Sequence, residues 1–205
     1  MSLLTDQYKP TAIADFLGLE KPKRICARLA ANPTEIYLLF SGPSGMGKTT
    51  LALALAHELN AELHHIPSQS CTVATIEATH RACHYVPMTG KDWHLILIDE
   101  ADQMSTAAQL ALLSMMDGTR KAPRTIIVYT CNSVERFEDR FISRTIEVPF
   151  SSYGVATETA ELLARIWTEQ ASGDAKVPNF ARIVKESNNN VRASLMALQR
   201  ELLTA

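Results

Sequence analysis

The 205-residue sequence contains no apolar run approaching the ~20 residues that cross a bilayer as a helix, so no membrane segment is expected. Its N-terminus lacks the basic-then-apolar pattern of a secretory signal. There is no C-x-x-C pair. The four cysteines, Cys26, Cys71, Cys83 and Cys131, are scattered and read as reduced core thiols, which fits a cytoplasmic location. Neither sign of charge is in excess: 20 basic and 22 acidic side chains leave a net charge of −2. That balance argues against a chain that coats nucleic acid, although a local basic surface is invisible in the total. Internal repeats and low-complexity tracts are also missing. What remains, 46% apolar and 20% charged residues, is a globular composition sized for one domain plus a small appendage.

His80, Cys83 and His84 fall at i, i+3, i+4 spacing and can in principle share a metal ion. No second cluster supplies the remaining ligands, and zinc is not expected.

Short apolar runs alternate with helical periodicity, which indicates a parallel sheet with crossover helices. The pattern predicts strands at 36–41, 62–67, 94–99, 124–131 and 145–150. It predicts helices at 21–31, 48–59, 72–85, 105–117 and 134–141, with Ser105 as an N-cap and a turn at Pro87–Gly90. After Phe150 the character changes. Ser151-Ser152-Tyr153-Gly154 reads as a linker into three helices, at 155–171, 179–187 and 190–203, broken by Ser172-Gly173-Asp174 and Asn188-Asn189-Asn190. The expected organisation is an α/β unit over 1–150 and a small all-helical lid over 151–205, packed beside the site described next.

Gly42-Pro43-Ser44-Gly45-Met46-Gly47-Lys48-Thr49 completes the pattern G-x-x-x-x-G-K-[ST], between a predicted strand and a predicted helix. This is the setting a phosphate loop requires. Glycines let backbone N–H groups turn around a polyphosphate, and the following helix adds partial positive charge at its N-terminus. Lys48 can reach the outer phosphates, the Thr49 hydroxyl can ligate Mg²⁺, and Thr50 continues the loop into the helix. The predicted strand His94–Ile98 then runs into Asp99-Glu100-Ala101-Asp102. Adjacent carboxylates at a strand end are costly unless a cation or a reaction uses them. Asp99 can help hold Mg²⁺, and Glu100 can polarise an attacking water. Asn132, at the end of the next strand, offers an uncharged amide to a γ-phosphate or to that water.

In this order, and with the helical lid, these motifs resemble the AAA+ ATPases, the P-loop NTPases with a parallel five-stranded sheet. Within that clan the chain looks most like clamp-loader small subunits, the replication-factor-C type of eukaryotes and archaea and its phage relatives. Tyr8-Lys9-Pro10 with Phe16-Leu17-Gly18 resembles the family segment that wraps the adenine, which would make Tyr8, Pro10, Leu17 and Gly18 nucleotide contacts. Asp99-Glu100-Ala101-Asp102 and Gln109 match the second Walker motif and the helix after it. Asn132 corresponds to sensor 1, Ser143-Arg144-Thr145 to the family's Ser-Arg-Cys, and Asn190-Val191-Arg192-Ala193 to the lid sequence carrying sensor 2.

The resemblance implies ATP and Mg²⁺ as cofactors and makes Arg144 an arginine finger acting in trans on a neighbouring subunit. It makes Arg192 a phosphate contact from the same chain's lid. The partners it implies are other clamp-loader-type subunits, a sliding clamp and primed DNA, in the cytoplasm or in a host's cytoplasm if the chain is phage-encoded. The chain departs from the family in three places. The sequence stops at the lid, where the family continues into a helical collar, so the expectation is either a piece of a longer chain or a short branch that assembles by other means. No basic residue occurs in Ser68–Thr75, where the family faces DNA, and Leu113-Ser114 replaces an arginine pair. Two relatives fit less well: the bacterial tau/gamma subunit carries a cysteine-rich zinc module where this chain has only Cys71, and branch-migration motors add a DNA-binding domain and an insertion. The leading expectation is an oligomeric ATPase, and its rival is a nucleotide-dependent interaction module with little turnover.

Overall fold

The computed structural model describes residues 2–87, 90–118, 120–171 and 176–204. Parts of the turn expected at 87–90 and the helix break expected at 172–174 lie outside them. Five strands, β1 (Ile36–Ser41), β2 (Ala61–Pro67), β3 (Trp93–Asp99), β4 (Thr125–Cys131) and β5 (Ile146–Pro149), pair in the order β2-β3-β4-β1-β5. All four pairings are parallel. The central strands are buried on both faces, which is why they read as unbroken apolar runs.

Alternation sorts their side chains into two cores. Leu38, Phe40, Leu95, Leu97, Ile126 and Val128 pack toward α2 (Glu20–Ala31) and α3 (Lys48–Glu58). Leu39, Ile96, Ile98, Ile127 and Tyr129 face the other way, toward α4 (Val73–Ala82) and α5 (Thr106–Met116). Ser105 caps α5 as expected, its Oγ accepting from Ala108 N at 3.2 Å.

Two expected helices are shorter. The segment predicted over 134–141 is helical only as α6 (Asp139–Ile142); the preceding residues form a turn closed by Phe137 N to Val134 O at 3.1 Å. Glu138 is extended at φ −70° and ψ 146°, which starts the helix there. α4 stops at Ala82, with Cys83 and His84 in a turn.

The linker is solvated at Tyr153 and turns at Gly154, where φ is 80°. Beyond it, α7 (Ala156–Gln170), α8 (Phe180–Glu186) and α9 (Val191–Thr204) pack together. Asn188 and Asn189, both left-handed, end α8, and Asn190 starts α9. A short helix that periodicity could not reveal, α1 (Leu4–Gln7), inserts Leu4 into the lid core, so part of the segment grouped by sequence with the α/β unit packs in the lid. Leu4 N donates to Gln199 Oε1 at 2.8 Å, Tyr8 Oη to Glu169 Oε2 at 2.6 Å, and Gly18 N to Glu158 Oε2 at 2.6 Å. No helix of the described residues is long and apolar enough to cross a membrane. All four cysteines are buried and free.

Candidate nucleotide site

At the C-terminal end of the sheet, β1 leaves the core and the chain turns through Gly42. Gly42 N donates to Cys131 O at 3.2 Å, and Phe150 N to Ser41 O at 2.7 Å, so the loop is anchored to β4 and β5. A side chain at residue 42 is sterically impossible without backbone movement: φ is 140°, and a Cβ would meet Phe150 O at 2.3 Å. At Gly45, φ 79°, a Cβ would meet the Asn190 amide of the lid at 2.5 Å. Gly47 leads into α3 without a side-chain cap, which leaves the first N–H groups of that helix directed at the loop.

Lys48 is buried, and all three of its donors have partners. Nζ donates to Gly42 O at 2.6 Å, Pro43 O at 2.8 Å and Asn132 Oδ1 at 3.1 Å. Burial lowers its pKa below the usual lysine value, opposed by Cys131, Asp102 and Asp99 and reinforced by Arg192. A phosphate oxygen that takes this ammonium must therefore displace a loop carbonyl or the Asn132 amide.

Thr49 Oγ1 donates to Asp99 Oδ1 at 2.7 Å, as does Thr130 Oγ1 at 2.5 Å. Asp99 Oδ2 lies 3.7 Å from His65 Nε2 on β2. A hydroxyl and a carboxylate in contact are the hard oxygen donors that Mg²⁺ takes alongside its waters, so these two residues fit that ion. Glu100 is exposed and lies at φ 53°, a left-handed conformation uncommon for non-glycine residues. Its N–H is held by Thr130 Oγ1 at 3.0 Å. Asn132 N donates to Asp102 Oδ2 at 3.3 Å, whereas Asp102 Oδ1 is buried and has no partner among the described residues.

These groups line one cleft of about 920 Å³, within the usual range for small-molecule sites. Of the expected site residues it gathers Tyr8, Pro10, Leu17, Ser44, Gly45, Met46, Gly47, Lys48, Thr49, Thr50, Asp99, Glu100, Asn132 and Arg192. Gly42, Pro43 and Gly18 do not line it. Gly18 instead lies against Val155 at the root of α7. Arg144 is elsewhere, beyond the end of α6, half-exposed, with Nη1 donating to Arg140 O at 2.9 Å and Nε 3.6 Å from Asp117 Oδ1.

Sequence reasoning missed Arg165 as a cleft wall and Thr130 as the hydroxyl that joins Asp99 to Glu100, and it named Phe16 only as part of the segment around Leu17. A hydroxyl two residues before Asn132, near the C-terminal end of the strand, was the available signal. His80, Cys83 and His84, whose spacing could in principle share a metal, are not gathered into one ligand group among the described residues. His80 Nε2 pairs with Arg120 O at 2.6 Å, and Cys83 is buried at a different cluster.

Asn190 ties the lid to the loop. Its Nδ2 donates to Ser44 O at 2.6 Å, while its Oδ1 accepts from Ala193 N at 3.1 Å and caps the helix bearing Arg192. Asn190→Ala is expected to cost about 1 kcal/mol through the lost cap. That loss should lower the midpoint of thermal unfolding by roughly 2–4 °C in a chain of this size. Asn190→Ser keeps a capping acceptor but is too short to keep the donor to Ser44, so calorimetry of both variants separates cap from tether.

Residues 38–151 match the model of the ATPase family associated with various cellular activities (AAA). Replication factor C subunit 4 of Encephalitozoon cuniculi is 28% identical over 205 residues, covering 97% of this chain and 64% of its own length. Replication factor C small subunit 1 of Pyrobaculum arsenaticum is 31% identical over 154 residues, covering 71% of this chain and 46% of its own. The chain thus spans less than two thirds of the curated relatives it matches. Among solved structures, the Holliday junction branch migration motor RuvB of Thermotoga maritima superimposes with a TM-score of 0.76 at 21% identity, over 96% of this chain and 66% of its own, a likeness of fold alone. With its phosphate loop, its five-stranded parallel sheet and a family match over more than half its length, the chain belongs to the AAA family of ATPases and is replication factor C-like in sequence.

Proposed function

We propose that the chain hydrolyses ATP as one subunit of a ring or spiral, acting as a nucleotide-dependent switch in clamp-loader-like replication machinery in the cytoplasm. Residues 1–150 would form the nucleotide-binding unit and 151–205 the lid. The observation that carries the reading is the division of the expected machinery. Lys48, Asp99, Glu100, Asn132 and Arg192 share a cleft, while Arg144 stays outside it. A finger that does not face its own site is suited to a neighbour's.

In this reading Tyr8, Pro10 and Leu17 hold the base, and the loop N–H groups with Lys48 hold the phosphates. Mg²⁺, held through Thr49 and Asp99, would neutralise phosphate charge. Thr130 fixes the Glu100 backbone, leaving the exposed carboxylate to orient and polarise the attacking water. Asn132, released from Lys48, would offer its amide oxygen to that water or its Nδ2 donor to the γ-phosphate. Arg192 reports phosphate occupancy to the lid. Sliding clamp, primed DNA and sister subunits are the proposed partners. Exposed Ser70 and Thr72, before the start of α4, offer hydroxyls in place of the missing basic residues.

The rival, a binding module with little turnover, draws support from the satisfied donors of Lys48, which must break a hydrogen bond before they meet a phosphate. ATPase activity measured against protein concentration, with and without primed DNA, tests both. Specific activity that rises with concentration or with DNA is expected. Negligible turnover, flat across the range, would reject the motor in favour of the module.

A further inference from the structure

Three ligand-bearing side chains converge at the β2 edge of the sheet. Parallel pairing sets Glu62 opposite His94 and His64 opposite Ile96, which brings the two histidines together as diagonal neighbours. Cys83, in the turn after α4, completes the group, and the ligand atoms of all three lie within 4.8 Å of one another. His64 Nε2 is 3.0 Å from His94 Nδ1, and the rings are inclined at 33°. His94 Nε2 lies 2.8 Å from Tyr85 O. A carbonyl oxygen can only accept, so His94 carries its proton on Nε2 and turns the bare Nδ1 lone pair toward His64. A backbone carbonyl that fixes the tautomer of an imidazole in this way is the usual support of a metal-ligating histidine.

A hydrogen-bonded histidine pair accounts for the two rings, and Thr125 meets the Cys83 thiol, yet neither contact requires all three ligand atoms to gather in one group. Two imidazole nitrogens and one sulfur suit a zinc-like ion, whose bonds of about 2.0–2.1 Å to nitrogen and about 2.3 Å to sulfur set ligand atoms roughly 3.3–3.6 Å apart, so the histidine pair widens slightly and side-chain rotation brings the sulfur in. His94 and Cys83 are buried at 4% and 1% exposure, while His64 is half-buried and opens a path from solvent. We propose that His64, Cys83 and His94 form a binding site for one zinc-class divalent transition-metal ion, with water in the remaining position.

Such an ion staples the turn after α4 to β2 and β3. Burial and the neighbouring His94 hold His64 below its usual pKa, which keeps its imidazole neutral for ligation near neutral pH. Burial pushes the Cys83 thiol up to about 12, so ligation expels its proton to solvent.

Cobalt(II) added to the chelator-treated full chain, in excess Mg²⁺ to occupy hard oxygen sites, tests the proposal. The expected result is a thiolate-to-cobalt charge-transfer band with four-coordinate d–d bands, saturating at one ion per chain and bleached by Zn²⁺. Cys83→Ser should abolish the charge-transfer band, and His64→Gln should weaken binding at least tenfold. Zn²⁺ should raise the melting temperature of the unaltered chain but not of His64→Gln, a readout that stands if Cys83→Ser does not fold. No thiolate band in the unaltered chain, or undiminished binding by His64→Gln, overturns the proposal.

Discussion

Arg144→Ala is expected to lower ATP hydrolysis by about three orders of magnitude or more, the range over which fingers supplied in trans act, while nucleotide affinity stays unchanged. The reason is positional. Arg144 follows a one-turn helix on the outer surface, its guanidinium held by Arg140 O and lying near Asp117. It is not among the described residues that line its own chain's cleft. Binding of a fluorescent ATP analogue and steady-state turnover, measured on the same preparation, separate affinity from chemistry. Mixing makes the test stricter. Lys48→Ala keeps the finger and loses the loop, Arg144→Ala keeps the loop and loses the finger, and together they should recover activity that neither has alone. Full activity of Arg144→Ala would remove the in-trans assignment.

Phe141→Ala is expected to cost about 3–5 kcal/mol, the range for a fully buried phenylalanine. In a chain of this size that is roughly 6–20 °C in the melting midpoint. Phe141 is 0% exposed, stacks on Phe137 with centroids 5.0 Å apart, and meets Tyr129 edge-on at 4.9 Å. It fastens α6 to the second core, and α6 in turn positions Arg144. The variant should therefore lose turnover at temperatures where circular dichroism still reports a folded chain. A loss below about 1 kcal/mol in urea unfolding would mean the aromatic cluster is not the anchor it is taken to be.

The sheet was legible because β1, β3 and β4 are buried on both faces and spell themselves as apolar runs. The loop, Asp99-Glu100 and Asn132 were legible for a related reason: each chemical group stands at the end of such a run. Arg192 was legible through resemblance, and its place in the cleft depends on Asn190 capping α9 against Ser44. Short or long-range features were not legible. α1 has too few residues to show periodicity, and the extended Glu138 that delays α6 is set by local backbone geometry. Thr130 acts through two hydrogen bonds that no spacing announces. Cys83 was grouped with His80 and His84 along one helix, but the helix ends at Ala82 and strand pairing supplies other histidines. In each case sequence neighbours were outweighed by neighbours in space.

The bond from Leu4 N to Gln199 Oε1 joins residues 195 positions apart, and Leu4 fills the same core as Leu163 and Leu198. A ribosome adding about 5–20 residues per second would leave Leu4 without its partner for about 10–40 s. The nascent chain must therefore carry an exposed leucine-bearing arm while the sheet assembles behind it. The lid closes only when α9 emerges, so the order of translation completes the nucleotide cleft after the sheet that carries its loop.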